Sequence, residues 1–144
     1  MNQHAQNSKK YVRVAVFLGV LSILLLLRFS MNGEDSGFDK IMKHTASELN
    51  KTCPQQVDPD TRLDSASALD NKTFRYNYTL QFPKDSIEIE MLVLSVRPLM
   101  LSNVKTNRDL QLFRENKVTF EYYFRDLNGE FLTRINIAPE EYMQ

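Results

Sequence analysis

The chain has 144 residues, of which 42% are hydrophobic and 25% charged, and it contains one cysteine and two histidines. A single cysteine excludes an internal disulfide framework and a cysteine-based zinc cluster. The formal net charge is zero, but residues 28–144 hold 15 cationic and 18 acidic side chains, so this mildly acidic body predicts no nucleic-acid partner.

The N-terminus begins with a short polar arm, residues 1–10, and an apolar run of 14 residues, 14–27, follows it. A helix of that length spans about 21 Å, less than the ~30 Å hydrocarbon core of a bilayer, and also suits a cleaved signal peptide. Arg13 and Arg28 flank the run and can snorkel outward, and no small-residue cleavage site follows it. We therefore predict that residues 11–29 are an uncleaved transmembrane signal anchor, with a cleaved signal peptide as the alternative.

The rest of the chain divides into a linker and one domain. Residues 30–37 are polar and contain two glycines, which is typical of a linker, and residues 38–144 form the predicted domain. The cations of the arm lie close to the apolar run, so we expect the arm in the cytoplasm and the domain on the other side of the membrane.

The first half of the domain predicts a helix and a hairpin. Apolar residues recur at helical spacing over residues 38–51, and Pro54 ends that helix. Residues 57–69 are weakly β-like, with Pro59 near their start. Five apolar residues then alternate with polar ones and predict a strand that pairs with 57–69: Phe74, Tyr76, Tyr78, Leu80 and Phe82.

The second half repeats this order. Residues 86–104 are densely apolar, and their length favours a helix kinked at Pro98, although residues 87–94 also alternate as a strand does. A short helix is predicted at about 107–115. Strand-like alternation on both sides of Asn128-Gly129 then predicts a second hairpin with a type I′ turn.

The predicted fold class is therefore α+β. The element order is helix, strand, strand, helix, strand, strand, and the four strands form an antiparallel sheet covered by helices on one face. We expect four aromatic residues of the strands to face the helices and form the core: Tyr76, Tyr78, Phe120 and Phe124. The residues that alternate with them should face solvent. Tyrosine and arginine favour interfaces, so the outward residues are the predicted partner surface: Arg75, Asn77, Glu121, Tyr123 and Arg125.

The sequence offers no pattern for catalysis, cofactor binding or metal binding. Cys53 has no histidine near it in sequence, and no glycine-rich phosphate loop is present. The four aspartates between residues 58 and 70 do not follow the spacing of a calcium-binding EF-hand loop. We predict no catalytic residue, no cofactor and no metal.

Several short motifs resemble a widespread group of small bacterial envelope proteins of unknown role. The motifs are Asn50-Lys51-Thr52-Cys53-Pro54, Val57-Asp58, Thr61-Arg62-Leu63-Asp64 and Tyr76-Asn77-Tyr78-Thr79-Leu80. The resemblance covers most of residues 45–142 and implies an exported or membrane-anchored protein, but it supplies no catalytic residue.

Together, these observations predict a single-pass protein of the bacterial inner membrane whose C-terminal domain lies in the periplasm. Its predicted role is to bind a protein partner that the sequence does not identify, while residues 11–29 hold it in the membrane. Two alternatives stay open: an accessory structural subunit of an envelope complex, and a secreted enzyme of unrecognised type.

Overall fold

The computed structural model of the chain describes residues 37–144. The predicted arm, the predicted anchor at 11–29 and all but the last residue of the predicted linker lie outside these residues. Within residues 37–144, no helix combines the length and the apolar character needed to cross a membrane.

The described part of the chain forms an α+β fold with one five-stranded sheet. The helices are α1 (Phe38–Asn50), α2 (Ile89–Thr106), α3 (Gln111–Glu115) and α4 (Pro139–Tyr142). The strands are β1 (Gln55–Asp58), β2 (Thr61–Leu69), β3 (Thr73–Leu80), β4 (Thr119–Arg125) and β5 (Phe131–Ile137). Short 3₁₀ turns precede α2 and α3, at Lys84–Ser86 and Arg108–Leu110.

The predicted helices form close to their expected bounds. α1 confirms the helix predicted over 38–51, and the turn at Arg108–Leu110 with α3 confirms the short helix at about 107–115. α2 begins at Ile89, three residues later than predicted, because Lys84–Ser86 forms a separate 3₁₀ turn. The alternative of a strand over residues 87–94 is wrong, and Pro98 lies inside α2.

The sheet differs from the prediction in strand number and in one strand direction. The weakly β-like segment is two antiparallel strands, β1 and β2, so the sheet has five strands where four were predicted. Pro59 lies in the turn between them, where it interrupts no ladder. The strand order is β1-β2-β3-β4-β5, but β3 and β4 run parallel, so the prediction of an antiparallel sheet is wrong at its centre. The long connection through α2 supplies the crossover that a parallel pair needs.

The second hairpin forms, but its turn is not type I′. Gly129 has a positive φ of 85°, whereas Asn128 is not among the residues with positive φ, which a type I′ turn requires. The N–H of Asp126 donates to the carbonyl of Glu130, and the N–H of Gly129 donates to the carbonyl of Asp126. The Asp126 carboxylate is buried and accepts from three backbone N–H groups, those of Lys84, Asn128 and Glu130. This carboxylate ties the turn to the segment before α2.

The core lies between one face of the sheet and the helices, as predicted. Alternate residues of β3 and β4 are buried there: Phe74, Tyr76, Tyr78, Phe120, Tyr122 and Phe124. The ring of Phe113 in α3 lies 5.1 Å from that of Phe74, 6.1 Å from that of Phe120 and 5.6 Å from that of Phe38 in α1. One aromatic cluster thus joins both halves of the domain and leaves the other face of the sheet without helices among residues 37–144.

Candidate partner-binding surface

The helix-free face of the sheet, which we call the open face, carries the polar residues that alternate with the core. Strand register places Ser65 beside Asn77, Arg75 beside Glu121, and Tyr123 beside Arg134. The predicted partner surface lies on this face, on the neighbouring strands β3 and β4: Arg75, Asn77, Glu121, Tyr123 and Arg125. The structure brings them together because β3 and β4 pair in parallel with Asn77 directly beside Tyr123.

Glu121 is the one member of this set that is not accessible. It is only 5% exposed, so the expectation that it faces solvent is wrong, although its side chain does point to the open face. The guanidinium of Arg75 donates to its carboxylate, and Nε of Arg134 lies 3.8 Å from the other carboxylate oxygen. A buried carboxylate is costly unless it is paired, so these two arginines hold Glu121 in place and cover it.

Tyr123 forms the centre of the open face. The guanidinium carbons of Arg75 and Arg125 lie 5.1 Å and 5.3 Å from the centre of its ring, within the range of a cation–π interaction. The ring of Phe131, which is 48% exposed, lies 5.1 Å from the ring of Tyr123. An aromatic pair bordered by cations is thereby presented on an otherwise polar surface.

The rest of the open face is an ordered set of polar contacts. Asp64 accepts from Nε of Arg62 and from the hydroxyl of Thr79, both at 2.6 Å. Nδ2 of Asn77 donates to the hydroxyl of Ser65 at 3.0 Å. The face holds four arginines, at positions 62, 75, 125 and 134, but two acids, Asp64 and Glu121, so it is a cationic surface on an acidic body. Such a surface suits an acidic protein partner.

The predicted surface omits several residues of the open face, among them Arg134 and Phe131, which lie beside Tyr123. Arg134 follows from the alternation of β5, since its neighbour Ile135 is buried. Phe131 could not be found in this way. The pairing of β4 with β5 shifts between Phe124 and Arg125, and Leu132 is the extra residue that turns Phe131 to the open face.

Cys53 and the acidic side chains are the groups that could take part in nucleophilic or metal chemistry. Burial, and next the nearby charge of Asp64, raises the pKa of the Cys53 thiol, opposite to the shift that activates a nucleophilic cysteine. Over residues 37–144, no group of three His, Cys, Asp or Glu side chains is placed to hold a metal ion.

A pocket between α1 and the β2–β3 turn, lined by Asp39, Lys43 and Asp70, has a volume of about 110 Å³. Sites for drug-sized molecules typically have about 300–1,000 Å³.

A family model described as a domain of unknown function, DUF8479, matches residues 36–133. This agrees with the resemblance to a group of proteins of unknown role. Among curated proteins, none matches the chain.

Solved structures share the fold at low sequence identity. A protein of Pseudomonas aeruginosa described as secreted superposes with a TM-score of 0.63 at 10% identity, covering 75% of this chain and 99% of its own. The pilotin EpsS of the type II secretion system of Vibrio vulnificus gives 0.58 at 10% identity, and the type II secretion pilotin AspS of Vibrio cholerae gives 0.54 at 14%. Each of these two matches covers 72% of this chain and 90% of the pilotin.

Proposed function

The chain belongs to the DUF8479 family, and we propose that this member is a membrane-anchored protein of the bacterial envelope that acts by binding another protein through the open face. In this proposal, residues 11–29 are a single inner-membrane anchor and the domain lies in the periplasm. The role needs no catalytic residue, cofactor or metal.

One observation carries the proposal: the open face presents Tyr123 and Phe131 between cationic side chains whose geometry is already fixed. Arg75 is held by Glu121, and both Arg75 and Arg125 lie over the ring of Tyr123. Tyrosine and arginine are enriched at the energetic centres of protein interfaces. Because these side chains are already ordered, they lose less conformational entropy when a partner binds.

A second candidate is an accessory structural subunit of an envelope complex. The likeness in fold to two pilotins of type II secretion systems supports this candidate, since each of those proteins belongs to such a system. The two candidates share the need for a protein partner and differ in whether that partner is part of a large assembly.

The anchor is tested by the topology of the full chain. With alkaline phosphatase fused after Gln144, we expect enzyme activity, because this reporter folds only after export and the apolar run at 14–27 targets the membrane. The control is a fluorescent reporter that matures only in the cytoplasm, which we expect to stay dark. The opposite result would contradict the proposed topology, and a mature fragment that begins within residues 30–37 would show cleavage instead of anchoring.

The open face is tested by affinity capture of the full-length chain from solubilised bacterial membranes. We expect Arg125→Glu to reduce the amount of captured partner at least about tenfold, since reversing a charge in a complementary interface costs more than about 1.4 kcal/mol of binding free energy. Lys40→Glu is the matched control, because it reverses an exposed charge on α1, on the helix side of the domain. Equal capture by the two variants would contradict the proposal, provided that both keep the melting temperature of the wild type.

A further inference from the structure

The two outer strands of the sheet differ in how readily a further strand could pair with them. β1 has four residues between Pro54 and Pro59, and its register with β2 is irregular. Short length, proline and bulges are common means by which natural proteins prevent pairing at a sheet edge. β5 has seven residues and no proline, and its pairing with β4 is regular over residues 133–137. Of these two strands, β5 is therefore the one that is open to pairing.

The hydrogen-bond pattern of β4 shows which backbone groups of β5 point outward. The N–H of Thr119 donates to the carbonyl of Lys72, on the β3 side. Backbone groups of successive strand residues point to alternate sides, so the even-numbered residues of β4 pair with β5. Their partners in β5 are Ile137, Ile135 and Thr133. The residues between these partners, Arg134 and Asn136, therefore direct their N–H and C=O groups away from the sheet.

The outward groups of β5 have few partners in the described part of the chain. Nη2 of Arg97 donates to the carbonyl of Asn136 at 3.4 Å, which agrees with the outward direction of that carbonyl. The N–H groups of Arg134 and Asn136 and the carbonyl of Arg134 have no hydrogen-bond partner within residues 37–144. Such a row of free groups is the template to which an extended peptide adds as a further strand.

The side chain of Arg134 gives this edge a positive charge. It is 54% exposed on the open face, and it shares the carboxylate of Glu121 with Arg75. One acid faces two cations there, so one positive charge is left unbalanced. Residues directly opposite each other on neighbouring strands share a face, where opposite charges attract and like charges repel. A strand with an acidic residue opposite Arg134 therefore fits this edge best.

We infer that β5 pairs with an extended segment of the protein partner, and that an acidic residue of this segment lies opposite Arg134. The inference rests on the proposed function and deepens it, because the added strand would continue the open face beyond β5. The backbone groups supply affinity for any extended chain, and Arg134 selects an acidic one.

A second copy of β5 fits this edge less well than an acidic segment does. Antiparallel pairing of two copies that uses the outward groups of both Arg134 and Asn136 is centred on Arg134 or on Ile135. The first arrangement places the two Arg134 side chains directly opposite each other, and the second places them diagonally on the same face. Diagonal neighbours are still within reach of long side chains, so both arrangements bring like charges together.

The inference is tested with two synthetic peptides and the full-length chain in detergent micelles. In each peptide, threonine and valine alternate over about nine residues, and the central threonine is replaced by aspartate in one peptide and by lysine in the other. We expect the aspartate peptide to slow amide hydrogen exchange at Arg134 and Asn136, measured by NMR, because their N–H groups gain acceptors. The amide of Gln56 in β1 should be unaffected. The lysine peptide should bind at least about threefold more weakly, since it places a like charge opposite Arg134.

Proline variants test the edge with the partner captured from solubilised membranes. Asn136→Pro removes an outward N–H and should reduce capture at least about tenfold. Gln56→Pro is the matched control in β1 and should leave capture unchanged. The N–H of Gln81 donates to the carbonyl of Asp60, and the same alternation turns the backbone of Arg62 to β3 and that of Gln56, its partner in β1, outward. Both variants are compared at the melting temperature of the wild type.

Three results would overturn the inference. Equal binding of the two peptides, or binding of neither, would remove the acidic strand. Slowed exchange at Arg134 and Asn136 in the wild-type chain alone, growing with its concentration, would assign the edge to a second copy. Full capture by Asn136→Pro with loss of capture by Arg125→Glu would remove the added strand and keep the open face. Loss of capture by Asn136→Pro alone would instead keep the strand and contradict the role of the open face.

Discussion

Phe120→Ala is expected to destabilise the domain by about 3–5 kcal/mol, the usual cost of removing a buried phenylalanine ring. Phe120 has no exposed surface, and it lies in β4 beside Phe74 of β3. Its ring is 6.1 Å from that of Phe113 in α3 and 6.0 Å from that of Tyr142 in α4. The substitution therefore opens a cavity where the parallel strands meet two helices. The free energy of unfolding in urea, measured by far-UV circular dichroism, tests this expectation.

The matched control for this prediction is Arg125→Ala in the same strand. Arg125 is exposed on the open face and contacts the ring of Tyr123, so its removal should cost less than about 1 kcal/mol. Similar losses at positions 120 and 125 would mean that the two faces of β4 are assigned wrongly.

Arg75→Ala is expected to cost about 2–3 kcal/mol, the largest effect of any single change on the open face. It leaves the buried carboxylate of Glu121 without the guanidinium that donates to it. Breaking a buried ion pair typically costs about 3–5 kcal/mol. We expect less here, because the Arg75 side chain is 28% exposed and Arg134 lies 3.8 Å from the same carboxylate.

A double-mutant cycle separates this pair from the loss of packing. The coupling energy between Arg75→Ala and Glu121→Ala should exceed about 1 kcal/mol, since each group loses its charged hydrogen-bond partner when the other is removed. Arg62→Ala is the control, because its pair with Asp64 is more exposed and should contribute at most about 1 kcal/mol. Additive effects at positions 75 and 121 would show that the ion pair does not stabilise the sheet.

Local patterns in the sequence predict most of the elements of this fold, and they fail where long-range pairing decides. The strict alternation of β3 and β4 predicts which residues enter the core, because side chains in a strand alternate between its faces. The parallel direction of β3 and β4 could not be predicted in this way. After a helical connection, the next strand can pair with either edge of the preceding hairpin, and it can therefore run parallel or antiparallel to the strand that it joins. The choice depends on how α2 packs against β5 and α4.

The residues of the open face are also predicted where strand alternation decides and missed where long-range contacts decide. Alternation places Arg75, Asn77, Tyr123 and Arg125 on one face, but it carries no information on how deeply each side chain lies. The burial of Glu121 depends on Arg75 from a strand 46 residues away and on Arg134 from β5. Phe131 reaches the open face through an irregularity in the β4–β5 pairing, which has no signal in either strand alone.

The long helix α2 shows a further limit of prediction from the sequence. In the sequence, Leu94 and Leu92 are equally apolar members of one dense series, and length alone favours a helix. The structure separates them, because Leu92 is fully buried and Leu94 is 69% exposed. A helix that is apolar all round is typically buried, so the exposure of Leu94 is visible only after the helix has been packed on the sheet.

We expect the open face of the sheet to be the surface that contacts a protein partner. Site-specific photo-crosslinking in living cells tests it most directly, with a photoreactive amino acid in place of Tyr123 or Arg125 in the full-length chain. Lys40 on α1 serves as the matched position on the helix side. We expect a crosslinked adduct with the same envelope protein from positions 123 and 125 and none from position 40. Adducts from position 40 alone, or none from 123 and 125, would contradict it.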